Sequence, residues 1–336
     1  MQVGAANSCS DGKCEKEVRA YSVWVHLLVY DWPLRETIEC VPNFSTCDPN
    51  VVKEIVTEIE KVPSTYLLDH SFDDYYNRLV VVFVGSKKSV LQAALNASFR
   101  AVQLIDMNQH RGQHPRLGAV DVVPFVPVEN VTMYDCVSLS KEYGEALAQE
   151  AHVPIYLYGE AASSPERRDI DWIRKGEYEK LAEMICKPER KPDFGPAKPH
   201  PTAGATITGA RNVMVGFNVN LGTTDIQIGK KIARALHGAK GGFASVRAMA
   251  AEVPQKKEIQ IGMSIYGFES TPLHRVFELL KVEADRYNVP ITGSEINGII
   301  PVKAVIDVAN FYLRLDNLTD AKMLETAITK AVKRKK

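Results

Sequence analysis

His110 and His114 stand four residues apart in the segment His110-Arg111-Gly112-Gln113-His114-Pro115-Arg116. Imidazole is the side chain whose unperturbed titration falls near neutral pH, so a histidine here can take up a proton and return it. The spacing is also that of two zinc ligands on one helical face. Gly112 between them and Pro115 directly after oppose a helix, and no glutamate occupies the general-base position of a zincin. The segment therefore reads as a turn, with no metal expected. The sequence also lacks G-x-x-x-x-G-K-S/T, a G-x-G-x-x-G after a strand, and G-x-S-x-G, so phosphate-loop, dinucleotide and serine-nucleophile chemistry recede. Acid–base chemistry on a small organic substrate remains. The plainer reading of His114, a turn histidine packed beside Pro115 and Arg116, is not separated from it by spacing alone.

The elements around this segment are those of an ordinary α/β protein. Over 336 residues, 41 basic and 41 acidic side chains balance, so bulk charge argues for neither nucleic acid nor a membrane surface as partner. Six cysteines (Cys9, Cys14, Cys40, Cys47, Cys136 and Cys186) show no CxxC spacing and fit a reducing compartment. The apolar run 21–30 follows Lys13, Lys16 and Arg19 but is broken by His26 and closed by Asp31 and Pro33, too short to span a bilayer. Residues 1–37 read as a variable extension, and Lys333-Arg334-Lys335-Lys336 as a solvated helix end.

From residue 37 the periodicities predict a strand at 37–41, a helix starting at Asp48-Pro49, strands at 66–69 and 79–84, a long helix after Ser86, and a strand at 120–128. That order, β-α-β-β-α-β, is the split βαβ arrangement. A helix at 139–151 and a strand at 154–158 extend it. Between 187 and 208 five prolines crowd together, which excludes regular structure, and a long ordered loop of this kind is more often functional than accidental. The same order then recurs: strand 213–220, helix 223–236, strands 243–253 and 258–266, helix 271–287, strand 290–296 and helix 302–313. The fold class expected is α/β (α+β), with two ferredoxin-like split βαβ subdomains, each a mostly antiparallel sheet with helices on one face.

Several segments carry a family resemblance. Glu39-Cys40-Val41-Pro42-Asn43-Phe44-Ser45 resembles the opening strand of glutamate formiminotransferases. The stretch from Leu104-Ile105-Asp106-Met107 through His114-Pro115-Arg116 to Gly118-Ala119-Val120-Asp121, with Pro124-Phe125-Val126-Pro127-Val128, is similar to that family's most specific segment. Residues 156–162, 174–179, 192–196, 204–211 and 217–220 match in the same order, so the resemblance covers nearly everything after residue 37. It implies transfer of a formimino group from N-formiminoglutamate to tetrahydrofolate, giving 5-formiminotetrahydrofolate and glutamate, within histidine degradation. It also implies a cytoplasmic homodimer with tetrahydrofolate as co-substrate and no metal. Nucleic acid and membrane are not expected partners. The divisions implied are an extension at 1–37, an N-terminal subdomain at 38–208 ending in the folate-binding loop, and a C-terminal subdomain at 209–330. The cyclodeaminase domain that follows in many animal members is not expected within these 336 residues.

Residue by residue, the resemblance puts the catalytic histidine at His114 and the folate-binding stretch at Gly195, Pro196, Ala197, Lys198, Pro199, His200, Pro201, Thr202, Ala203 and Gly204. Both substrates are carboxylates, so Arg116 and Arg211 are the expected guanidinium partners, with Arg78 a further candidate. Asp121 is a candidate to orient His114, and His110 reads as structural. The chain departs from the family pattern at Thr46-Cys47-Asp48, at Ser71, where an acidic residue is usual, and at Gln113, where a glutamate is usual. Two alternatives stay open: a folate-binding paralogue without transferase activity, and formyl transfer between 5-formyltetrahydrofolate and glutamate.

Overall fold

Proline and a carboxylate open the first helix. Asp48 accepts from the backbone N–H of Asn50 (2.8 Å) and Val51 (3.4 Å), and Pro49 occupies the first turn, where a missing N–H costs nothing. The computed structural model describes residues 36–333, so the apolar run at 21–30, almost all of the expected extension and the end of the basic tail lie outside the described residues.

The first sheet has seven strands: β1 (Thr37–Cys40), β2 (Asn43–Phe44), β3 (Thr65–Asp73), β4 (Arg78–Gly85), β5 (Val120–Glu129), β6 (Ile155–Gly159) and β7 (Thr206–Ala210). β1 and β2 act as one strand interrupted at Val41-Pro42, because both pair with β4 on one side and β5 on the other. The order β3, β4, β1/β2, β5 is that of a split βαβ unit, and β7 and β6 extend it in parallel beyond β5. Helices α1 (Pro49–Glu60), α2 (Lys87–Leu104) and α3 (Met133–Ala151) cover one face, burying Ile55, Ile59, Ala97, Leu139 and Tyr143 against Phe83 and Phe125. On the other face a second, smaller cluster forms. There Ile173 from the short helix α4 (Ile170–Arg174) and Leu181 from α5 (Leu181–Met184) pack on Val122, Tyr156 and Ile207.

The second sheet comprises β8 (Met214–Leu221), β9 (Val246–Val253), β10 (Glu258–Tyr266) and β11 (Ile291–Asn297), all antiparallel in the order β11-β8-β10-β9. With α6 (Ile226–Leu236) and α7 (Leu273–Asp285) it repeats the split βαβ order, and β10 alternates half-buried and buried residues along its whole length. Residues 302–333 form a separate unit of α8 (Val302–Leu313) and α9 (Leu324–Lys333), in which Asn310 Nδ2 donates to the Leu318 carbonyl at 2.9 Å.

The two-subdomain α+β expectation holds, with three adjustments. β3 runs on to Asp73 through a bulge at Leu68. α3 begins six residues before the expected start because Thr132 and Asp135 form a reciprocal capping box. Thr206–Ala210 is a strand of the first sheet, so the proline-rich loop ends before residue 206. Among the described residues, no helix is long and apolar enough to cross a membrane.

Candidate active site

Two turns lock together to present His114. The β3–β4 turn ends in Asn77, held at φ +48°, and Tyr76 N donates to the Asp73 carboxylate at 2.8 Å. Against it lies the segment around His114. Asn77 Nδ2 donates to the Arg111 carbonyl (2.7 Å) and Gln113 N to the Tyr75 carbonyl (3.3 Å). Between those contacts only glycine fits: a Cβ on Gly112 would lie 2.4 Å from the Tyr76 carbonyl oxygen.

His110 completes the clasp. Arg116 Nε donates to its Nδ1 (3.3 Å), which leaves the proton on Nε2 to reach the Asn77 carbonyl (3.0 Å). Arg116 is 6 % exposed and gives its two terminal nitrogens to Glu177 (2.9 Å) and Glu179 (2.6 and 3.0 Å). The arginine expected to face a substrate carboxylate is thus engaged by two protein carboxylates and a histidine, and builds the wall of the site.

His114 itself is half-buried, edge-on to Tyr76 at 6.3 Å between ring centres, at a small cavity that Phe44, Ser45, Arg78 and Asp121 also line. Asp121 owes its position to a bulge. The β2–β5 register steps from Asn43↔Val122 to Phe44↔Val120, leaving Asp121 as the extra residue. It is 2 % exposed, accepts from Leu117 N at 3.0 Å and pairs with Arg174. Arg78 feels the same carboxylate electrostatically, and the Nε of each arginine is buried without a hydrogen-bond partner. A surplus of buried guanidinium donors is a setting for an anion.

The charges set the imidazole. Burial, with Arg78 and Arg174 next to it, pushes His114 down to about 3, against an opposing contribution from Asp121. Burial and the neighbouring Arg174 also bring Arg78 down to about 10. Tyr266, at the end of β10, comes close enough to act on both Arg78 and Tyr158, so the second sheet reaches this site.

The other expected residues spread along the same face and its lower edge. Arg211, just past β7, donates to the Asn212 carbonyl at 3.0 Å and hydrogen-bonds Tyr158. Glu39 stands nearby, raised by burial and lowered in part by Arg211. Ser71 lies opposite Val80 on exposed β3. In the proline-rich loop, His200 Nδ1 accepts from the backbone of Thr202 (3.3 Å) and Ala203 (3.0 Å), closing a tight turn. That turn is stitched to the His114 segment by Met107 N to Thr202 O (2.8 Å), Ala119 N to Ala203 O (2.9 Å) and Asn108 Nδ2 to Pro201 O (3.0 Å). Gly204, at φ +71°, backs directly on the Leu117 carbonyl, 2.3 Å from where a Cβ would be. Gly195 packs instead by Val153 and Pro154, at the start of β6, and Ala197 and Lys198 are exposed. The structure thus brings residues 200–204 to the His114 segment and leaves Gly195 farther along the edge.

Residues 37–211 match the model of the formiminotransferase domain's N-terminal subdomain, and residues 216–335 match that of the formiminotransferase domain. The chain belongs to the formiminotransferase family. It is 40 % identical to a glutamate formimidoyltransferase of Streptococcus pyogenes serotype M1, over 84 % of this chain and 95 % of that one. A glutamate formimidoyltransferase of Thermoplasma acidophilum is 41 % identical over 88 % of this chain and 98 % of its own. The formimidoyltransferase-cyclodeaminase of Mus musculus is 41 % identical over 85 % of this chain but 54 % of its own length.

Two residues of this candidate site are not among those expected from the sequence of this formiminotransferase family member. Arg174 lies in a matched segment, but its partner Asp121 is 53 positions earlier. Tyr76 sits in a stretch that departs from the family pattern. An arginine following an Asp-x-Asp helix start was the available signal for the first.

Proposed function

We propose that the chain transfers a formimino group from N-formiminoglutamate to tetrahydrofolate, with His114 carrying the proton between the attacking and leaving nitrogens. Relatives named glutamate formimidoyltransferase, aligned along nearly their whole length, support the reaction. The observation that carries the site is a half-buried imidazole at a cavity that Arg78 and the buried Asp121 also line, with Arg174 paired to that carboxylate.

The attacking amine forms a bond to the amidine carbon, and the bond from that carbon to the glutamate nitrogen breaks. The amine must lose a proton and the departing nitrogen must gain one, so one group that accepts and then donates balances the reaction. His114 starts unprotonated and is ready to accept. Flanked by Arg78 and Arg174, its imidazolium is a strong acid, suited to giving the proton back. A substrate carboxylate bonded to the unpaired Nε of Arg78 or Arg174 offsets that field and raises His114 towards neutral pH, which couples basicity to occupancy. The loop 195–204 and Arg211 take the folate in this reading. A cytoplasmic homodimer belongs to the same proposal, as does a division into two subdomains, moved from residue 208 to beyond β7 because that strand pairs with β5 and β6.

The test is glutamate release from formiminoglutamate and tetrahydrofolate by the purified chain, with 5-formyltetrahydrofolate plus glutamate assayed in parallel. His114→Ala should lower turnover by about 10²- to 10⁴-fold while folate affinity stays within a few-fold. No turnover with either donor, alongside folate binding, would replace the enzyme with a carrier.

A further inference from the structure

We propose that Arg247, on β9 of the second sheet, is a positioning residue for the site on the first sheet: it anchors α4 so that Arg174 holds Asp121 beside His114. The inference rests on the reading of His114 as the proton-transfer group.

Helix α4 is very short. Five residues make little more than one turn, too short to be stable alone, so its placement is set by what grips it. Arg190 grips the middle, stacking on Trp172 at 3.5 Å from the ring centre and donating to the Trp172 and Ile173 carbonyls. The far end carries Arg174, which reaches Asp121. The near end is a pair of carboxylates. Asp169 Oδ1 caps the helix by accepting from Asp171 N at 3.0 Å, and Asp171 follows in the first turn. Two like charges so close repel unless a cation joins them. Arg247 is that cation, with Nη2 2.9 Å from Asp169 Oδ1 and Nη1 3.6 Å from Asp171 Oδ2.

An ion pair that is 31 % exposed on the arginine side ordinarily contributes little. Here its leverage comes from geometry. Five residues rise about 7 Å, so a displacement at Asp169 reaches Arg174 nearly undiminished. Arg174 and Leu117 N are the groups on Asp121, and Asp121 and Arg174 both act on His114. His237 feels both carboxylates as well as Arg247 and Lys240, so a charge swap is a cleaner probe than a deletion.

The experiment compares the intact protein with Arg247→Glu, Asp171→Arg and their combination. Asp169 is left alone because it caps the helix. Arg247→Lys and the remote Arg286→Ala serve as controls. Each is read by kcat, by KM for both substrates and by NMR titration of the His114 ring. Arg247→Glu should lower kcat roughly fivefold with KM changed less than twofold. It should also raise the His114 titration, because a loosened Arg174 no longer opposes the imidazolium. The double variant should recover at least half of the lost kcat, and Arg247→Lys and Arg286→Ala should behave as the parent. Unchanged kcat and titration in Arg247→Glu, or a double variant no better than the worse single, overturns the proposal. If Arg247→Glu does not fold, Arg247→Gln gives the same two readouts. If the parent releases no glutamate, the transferase reading fails, and the His114 titration alone still decides the role of Arg247.

Discussion

Replacing Asp121 by asparagine changes the charge of the site without changing its shape. The side chain is 3 % exposed, and that of its partner Arg174 is 10 % exposed, so solvent screens neither. Asparagine keeps an oxygen for Leu117 N, and the turn carrying His114 stays tied. What disappears is the negative charge that pairs with Arg174 and acts on Arg78. Removing one member of a buried pair costs about 3–5 kcal/mol, mainly because the surviving ion is left uncompensated. In thermal melts that corresponds to a fall on the order of 10 °C. Arg174→Met in the same background removes the stranded charge, so the two substitutions should be coupled by at least about 2 kcal/mol. His114 should move further down in Asp121→Asn, since Asp121 is the group holding it up. Urea unfolding at pH 7 of the parent, both singles and the double measures the cycle. A cost below about 1 kcal/mol for Asp121→Asn, or strict additivity in the double, would refute the idea that one carboxylate balances two arginines.

Two further outcomes are expected. Gly112→Ala forces the Tyr76 carbonyl away and should destabilise the protein by roughly 1–3 kcal/mol while weakening turnover, read by urea unfolding and initial rates. The pH dependence of stability follows from His114, whose folded value near 3 lies below the ordinary value of 6.5. The unfolded chain then binds more protons between those limits. The contribution is complete above about pH 6.5 and is lost as pH falls towards 3, with His110 and His200, both lowered by burial, acting in the same direction. His114→Asn should flatten the slope of the urea midpoint between pH 6.5 and 4, and an unaltered slope would contradict it.

Where a segment's own period decides its structure, the sequence was enough. Strand 258–266 and helix 302–313 were read to the residue because their alternation and helical spacing are uninterrupted. β7 went unread because Thr206-Ile207-Thr208-Gly209-Ala210 is short and contains glycine, and it becomes a strand by lying between β5 and β6. The same division separates the site residues. His114 was legible from the matched segment around it. The fate of Arg116 was not, because Glu177 and Glu179 are more than sixty positions away and only the fold brings them to it. Arg174 fell in a matched segment and still carried no assignment, since its meaning depends on Asp121.

The bulge at Asp121 has a bearing on how the sheet assembles. On either side of it β5 changes the side to which its residues point: Val120 and Val123 both enter the core under the helices, whereas Val122 faces the opposite side. A uniformly alternating strand can slide two residues along its neighbour and still look correct. A strand with a parity change inside it has one alignment that satisfies both ends. Asp121 thus works as a key as well as an electrostatic partner. Deleting Asp121 would leave Val120, Val122 and Val123 in plain alternation on their present faces, erase the parity change that fixes the alignment, and remove the carboxylate in the same stroke.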